Sequence, residues 1–302
     1  MGKKFDVVLM NPPYGSDKSG DRYLHFKFTE KILDLSKKAI VIMPFRMLKS
    51  SSKKYDVWKQ KLSKNLVSIE ETNSADFLGT AMFNTGIYDW EENYTGEINI
   101  IYKNNDTKHV DSLLNVSIFS NYEENIVNLL YNNKKAKYKE IKVRDTKIKK
   151  NKESLKEFTK NVILKGLGET NYFLLTNLAN GGMNGRWISG NAGGIYDLTA
   201  LYNYIIETNA AVKNIMEFNS KEEAENCKIA LQNPVLRFVL YKLQDDQNIN
   251  ERLYKYVPDI DWSDDRVKTD EGLLEVCGCP KDKCKEYADY CKKIIKEVDK
   301  KK

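Results

Sequence analysis

Apolar positions along this chain fall into short continuous runs separated by helically spaced stripes. Phe5–Met10 (FDVVLM) is a short apolar, β-branched run closed by Asn11, Pro12 and Pro13, so it reads as a buried parallel strand ended by residues that cannot continue a ladder. Between Tyr23 and Leu35 the apolar residues Phe28, Ile32 and Leu35 recur at helical spacing, and Ala39 to Met43 (AIVIM) is a second continuous strand. The alternation repeats with a helix around Tyr55 to Leu62 and a strand near Leu66 to Glu70. A hairpin-like pair follows, ending in Glu97 to Tyr102 after the turn at Asn93 to Gly96. This pattern predicts an α/β fold with one open, mostly parallel sheet closed by an antiparallel edge.

From Asp111 onward the regularity decays into a Lys-rich stretch and then the Gly-rich segment Gly166 to Gly194, which places a domain boundary near Asn115. The two expected domains are 1–115 and 116–302. Helical character returns beyond Tyr202. Ser220 to Leu231 opens with a serine followed three residues later by Glu223, a capping-box signature, and a second helix is expected over Val235 to Leu243.

Composition narrows the class. The 302 residues, 41% hydrophobic and 11% aromatic, fill a core without disulfides or metal. The first fifteen residues lack a signal-peptide pattern, and no apolar stretch reaches the roughly 18 to 20 residues a bilayer span needs. The expectation is a protein of the cytosol or nucleoid, or of a host's cytoplasm if the gene is viral, with no membrane partner. Of five cysteines, Cys277, Cys279, Cys284 and Cys291 crowd the last stretch without paired C-x-x-C spacing and read as reduced thiols rather than a metal site. The net charge of +6 suits an acidic partner such as nucleic acid. The Lys-rich run from Lys134 to Lys160 reads either as a solvated linker or as a phosphate contact. An AT-rich coding bias towards Lys, Asn, Ile and Tyr weakens any reading from charge alone.

The candidate chemistry sits at Asn11 to Tyr14. Taken alone, Asn-Pro-Pro-Tyr after a strand reads as a turn. The carboxyl end of a strand in a doubly wound sheet is also where ligands bind. Pro12 and Pro13 fix two successive φ angles and remove two backbone donors, leaving a row of acceptors beside an aromatic ring. Such an array suits an exocyclic amine, whose hydrogens the Asn11 side-chain oxygen and the Pro12 carbonyl would accept while Tyr14 stacks on its ring. Two acceptors favour a pyramidal nitrogen with its lone pair aimed at an electrophile.

FDVVLMNPPYG resembles motif IV of the amino-methyltransferases. AIVIMPFRML resembles the strand and loop that follow it, and FNTGIYDW with EINIIYK resembles the hairpin that completes the sheet. The stretches FNSKEEAENCKIALQNPVLRFVLYKL, YKYVPDIDWSD and TDEGLLEV resemble the end of adenine-N6-specific DNA methyltransferases of restriction-modification systems, a region belonging to DNA recognition. The resemblance implies a partial Rossmann-like methyltransferase sheet over 1–115 followed by an α+β DNA-recognition domain over 116–302. It implies methyl transfer from S-adenosyl-L-methionine to a flipped adenine in double-stranded DNA. The catalytic residues would be Asn11, Pro12, Pro13 and Tyr14, with Phe83 as candidate for stacking on the base and Tyr88 and Trp90 as alternatives; core packing competes with that role.

The family pattern also calls for a strand with a glycine-rich turn for the cofactor before motif IV, and only Met1 to Lys4 precede the first strand here. The glycines of KGLGET (Gly166, Gly168) or of Gly181 to Gly194 would serve only in a permuted arrangement. The expectation is a split or decayed gene, with a partner chain carrying the cofactor half or a truncated reading frame as alternatives. A non-catalytic DNA-recognition protein is the competing functional class, and methylation of protein glutamine or of RNA is a third.

Overall fold

A computed structural model of the protein describes residues 4–13, 24–49, 53–73, 84–114, 116–131, 138–139, 167, 171–175, 194–208, 215–243 and 257–300. The chain divides into two compact units, Met1–Glu124 and Asn125–Lys302. Its architecture is mixed α/β, with eight α-helices among the described residues.

In the first unit β1 (Phe5–Met10), α1 (Leu24–Leu35) and β2 (Ser36–Pro44) form a strand-helix-strand unit, followed by α2 (Lys53–Ser63) and the strands β3 (Leu66–Asn73), β4 (Asn84–Glu91), β5 (Ile98–Ile101) and β6 (Thr107–Val110). They make one six-stranded sheet in the order β1-β2-β4-β3-β5-β6. β1 with β2 and β3 with β5 are parallel, whereas β4 runs antiparallel between β2 and β3, and β6 is antiparallel to β5.

Two expectations are corrected here. The sheet is mixed, with an antiparallel strand in its interior rather than only at an edge. The segment Asn84–Glu91 is also not the hairpin partner of Ile98–Ile101, because β3 lies between them. β4 carries Gly86, Tyr88 and Trp90 into the core, so both edges of its buried backbone need partners, and β2 and β3 supply them. Turn residues report local reversal, not which distant strand fills the next place.

Ala39, Val41 and Met43 of β2, Tyr88 and Trp90 of β4, Ile69 of β3 and Ile100 of β5 share one face of the sheet and are at most 2% exposed. Both helices cover this face. The Thr29 hydroxyl of α1 contacts the Met43 sulfur at 3.3 Å, the Trp90 indole N–H donates to the Leu62 carbonyl of α2 at 2.7 Å, and Lys61 of α2 pairs with Glu30 of α1 at 2.8 Å.

The apolar stripe read on α1 is not the one that packs. His25, Phe26 and Thr29 are buried, while Phe28 and Leu35 remain 45% and 42% exposed. Two apolar stripes overlap on this helix. Phe26 finds aromatic partners on α2, lying 4.2 Å from Trp58 and edge-on to Tyr55, and this long-range packing selects its stripe. After β6 the chain returns to the same face, where Ser63 accepts from the Leu113 amide and Ser117 accepts from the Tyr102 hydroxyl. Helix α3 (Asn121–Tyr131) starts with a reciprocal box: Ser120 Oγ accepts from the Glu123 amide and Glu123 accepts from the Ser120 amide.

In the second unit β7 (Tyr138–Lys139), β8 (Tyr172–Leu175), β9 (Ile195–Asp197) and β10 (Ile215–Phe218) form an antiparallel sheet in the order β7-β10-β8-β9. With α4 (Leu198–Thr208) it packs a core of Phe173, Leu201 and Ile215. Helices α5 (Lys221–Ala230), α6 (Pro234–Leu243), α7 (Asp270–Val276) and α8 (Lys281–Lys300) follow. At the start of α5 the expected serine cap is present, with Ser220 Oγ accepting from the Glu223 amide. The Glu223 carboxylate reaches back to Asn219 rather than to Ser220 itself. Buried Asn226 donates to the Trp262 carbonyl, and Arg237 of α6 makes a bidentate pair with Asp299 of α8 at 2.7 and 3.1 Å.

All five cysteines are buried, and none forms a disulfide. Burial pushes the Cys277 thiol up to about 12, and burial followed by the neighbouring Cys284 does the same for Cys279. No described helix is long and apolar enough to cross a membrane.

Candidate functional site

The ladder between β1 and β2 ends at the pair Met10 and Val41, and Asn11, Pro12 and Pro13 follow directly. Prolines at 12 and 13 have no N–H to offer β2, so the main chain leaves the sheet while β2 runs on to Pro44. The run therefore stands at the carboxyl edge of a parallel pair, where an α/β sheet presents ligands. Asn11 and Pro13 are exposed and Pro12 is buried. The middle proline thus anchors a short segment whose flanking residues meet solvent.

The register carries further residues to this edge. Pro44 is aligned with Thr85 of β4, and Thr85 in turn with Thr72 near the end of β3. Beyond Pro44 a 3₁₀ turn, Phe45–Leu48, buries Phe45, Met47 and Leu48. Phe45 stands edge-on to Tyr102 with ring centroids 6.0 Å apart, and the Tyr88 hydroxyl donates to the Pro44 carbonyl. Gly86 makes room for this packing, since a Cβ there would lie 3.0 Å from the Tyr88 ring and 3.2 Å from that of Phe45. Lys59 of α2 donates to the Leu48 carbonyl at 2.6 Å, and burial lowers the pKa of its ammonium. Glu71 at the end of β3 accepts from the Lys103 amide. These contacts hold the edge as a rigid platform behind Asn11–Pro13.

Among the buried side-chain polar groups of the described residues at this edge, the Thr85 hydroxyl is left over. Thr85 is fully buried, and its Oγ1 has no hydrogen-bond partner among the described residues. Spacing in the sequence does not disclose Thr85, because only the pairing of β4 with β2 brings it here. The segment Pro44–Leu48, by contrast, falls within the AIVIMPFRML resemblance.

Of the sequence-derived site residues, Asn11, Pro12 and Pro13 are placed as described, whereas Tyr14 and Phe83 lie outside the described residues. Phe83 directly precedes Asn84, the first residue of β4, which is paired with Asn73. Tyr88 and Trp90 are corrected: at 0% and 2% exposure they stack on one another in the helix-covered core and present no face to a base. Most of the Lys134–Lys160 run and the glycines Gly166, Gly168 and 181–193 also lie outside the described residues. Among the described residues, no strand ends in a glycine-rich turn that opens a helix.

Two clefts lie elsewhere. One of about 560 Å³ sits at the opposite, amino-terminal edge of β1 and β2, lined by Lys4, Lys37, Glu30 and Glu92 among others, with its charges largely paired. In the second unit a cleft of about 340 Å³ is lined by Glu217, Glu223, Asp259 and Asp261 beside Phe218 and Trp262. Its four carboxylates give this cleft an acidic lining, unlike the basic surfaces that track a phosphate backbone.

No protein-family model and no curated protein matches the chain. Among solved structures, similarity is found to a chain from a study of complex assembly and conformational transition of the type I R-M system, with 20% identity and a TM-score of 0.28. The likeness covers 33% of this chain and 24% of that one, so this chain spans about a quarter of its length. At that score it carries no weight for fold or function.

Proposed function

We propose that the chain carries the target-base half of an adenine-N6 DNA methyltransferase of the restriction-modification kind. The observation that supports this reading is the Asn-Pro-Pro run at the carboxyl end of a parallel strand, with its asparagine exposed and its first proline buried. On this reading the Pro12 carbonyl and the Asn11 side-chain oxygen are the two acceptors, and burial of Pro12 fixes the main chain that carries them. An exocyclic amine docked there gives one hydrogen to each, which withdraws the nitrogen lone pair from the ring and directs it outward. Tyr14 then stacks on the flipped base, and Phe83 is the candidate for its other face.

The electrophile implied by the sequence resemblance is the sulfonium methyl of S-adenosylmethionine. Double-stranded DNA is the proposed substrate, and the second unit is its proposed recognition region. The competing reading is a DNA-recognition protein without catalysis.

The test uses the chain in the complex isolated from its own cells, with tritiated S-adenosylmethionine and duplex DNA. Formation of N6-methyladenine is expected, and Asn11→Ala should cut turnover about a hundredfold or more while changing DNA affinity less than about threefold, because its contacts strengthen in the transition state. Equal losses in both would contradict the role of Asn11. DNA binding with no methyl transfer would establish the non-catalytic reading.

A further inference from the structure

We infer that Cys279 and Cys284 are a preorganised dithiol that a low-molecular-weight disulfide converts reversibly into an intrachain bridge, clasping the end of α7 to the start of α8. The inference is independent of the methyl-transfer reading.

Residues 277–280 join the two helices. Helix α7 closes at Gly278, whose φ of +89° suits glycine and strains other residues. The Gly278 amide donates to the Glu275 carbonyl and the Cys279 amide to the Leu274 carbonyl, both at 2.9 Å. This paired closure fixes the main chain of Cys279. On the other side the Pro280 carbonyl opens α8, accepting from the Lys283 amide at 2.9 Å and the Cys284 amide at 3.2 Å. Cys279 therefore stands one residue before the cap, and Cys284 is the fourth residue of the helix. These are the two positions that pack together as a hydrophobic staple.

Both staple positions here carry sulfur. The Cys284 thiol lies 3.3 Å from the Pro280 carbonyl oxygen and 3.6 Å from that of Cys279. The Cys279 thiol lies 3.5 Å from the same Pro280 oxygen and hydrogen-bonds the Cys284 thiol. An aliphatic pair would staple the turn as well; sulfur adds a bond that can be made and broken. Sulfurs in contact, on main chain held from both helices, need side-chain rotation rather than backbone movement to join.

The other thiols are placed less well. Cys291 follows Cys284 by two helical turns, about 10 Å along the axis, beyond the span of a disulfide. Cys227 is wholly buried in α5. Cys277, at the cap of α7, is the competing partner. Access runs through Cys279, which is 6% exposed between exposed Gly278 and Pro280, whereas Cys284 is 1% exposed. Burial holds the Cys279 thiol well above its ordinary range, so exchange at neutral pH is slow.

Oxidation proceeds by thiol–disulfide exchange. Cys279 attacks one sulfur of the oxidant and expels the other half as a thiol; Cys284 then attacks the Cys279 sulfur of the mixed disulfide and expels the second half. One S–S bond breaks in the oxidant and one forms in the chain. The two cysteine protons end on the two expelled thiols, and the two electrons given up by the protein reduce the oxidant.

The test equilibrates the full chain with reduced and oxidised glutathione, folded and in urea, starting both from reduced protein and from protein oxidised with diamide. Free thiols are then alkylated and the bridges mapped by mass spectrometry. The folded protein should carry a Cys279–Cys284 bridge that dithiothreitol removes. Its equilibrium constant should exceed that of the urea-unfolded chain about tenfold or more, because the fold already holds the two sulfurs together. Cys277→Ser should keep the bridge, and Cys279→Ser should leave Cys284 unbridged. A bridge through Cys277 or Cys291, a bridge between chains, no bridge at all, or an equilibrium no better than in urea would overturn the inference.

Discussion

Replacing Trp90 by Phe tests how the helix layer is tied to the sheet that carries the Asn-Pro-Pro edge. Trp90 is 2% exposed, stacks at 5.8 Å on Tyr88 and donates its indole N–H to the Leu62 carbonyl at 2.7 Å. That carbonyl belongs to the last turn of α2, where no intrahelical donor remains, so the indole satisfies an otherwise orphaned acceptor. Phenylalanine keeps the aromatic packing and removes the donor. An unsatisfied buried carbonyl costs about 1 to 3 kcal/mol. A void of roughly 40 Å³ adds about 1 kcal/mol at about 24 cal/mol per Å³. The expected loss is about 3 kcal/mol, read as a lower urea midpoint with unchanged slope, and a melting temperature lower by about 10 °C. A loss below about 1 kcal/mol would refute the tie, because the cavity alone accounts for that much.

Gly86→Ala should destabilise by about 1 to 3 kcal/mol in thermal unfolding, since the new methyl meets Tyr88 and Phe45, both held by other contacts, and neither ring can yield; an unchanged melting temperature would contradict the close packing. Burial, with Glu124, Glu71, Glu123 and Asp106 nearby, raises the pKa of Tyr102 well above its ordinary value. Its stabilisation is complete below the ordinary tyrosine pKa of about 10 and is lost as pH rises further, because the unfolded chain releases a proton that the folded one keeps, at up to about 1.4 kcal/mol per pH unit. The stability gap between wild type and Tyr102→Phe should therefore shrink between about pH 9 and 11 in urea titrations, and a constant gap would oppose this. A thiol reagent at pH 8 should label the five buried cysteines slowly in the folded protein and rapidly after denaturation; fast native labelling of Cys277 or Cys279 would show that they are not sequestered.

What was legible in the amino-acid order was local. Continuous apolar runs marked β1, β2 and β3, the Ser220 and Glu223 spacing marked the start of α5, and two prolines after FDVVLM marked a strand end with acceptors and few donors. The chemistry proposed for Asn11 and Pro12 follows from those residue types next to a strand. Three matters depended on residues distant in sequence. The place of β4 between β2 and β3 was set by which strand edges remained for a buried backbone, and turn composition at Asn93 to Gly96 carries no record of that choice. The buried stripe of α1 was chosen by Tyr55 and Trp58 on α2, which left Phe28 and Leu35 outside. Thr85 reached the site edge only through register with Pro44. The apolar character of FDVVLM and its place at the start of the sheet were legible from sequence, whereas which face stays open was decided by tertiary structure, because α1 and α2 cover the side of Val8 and Met10 and leave Phe5, Val7 and Leu9 on the other.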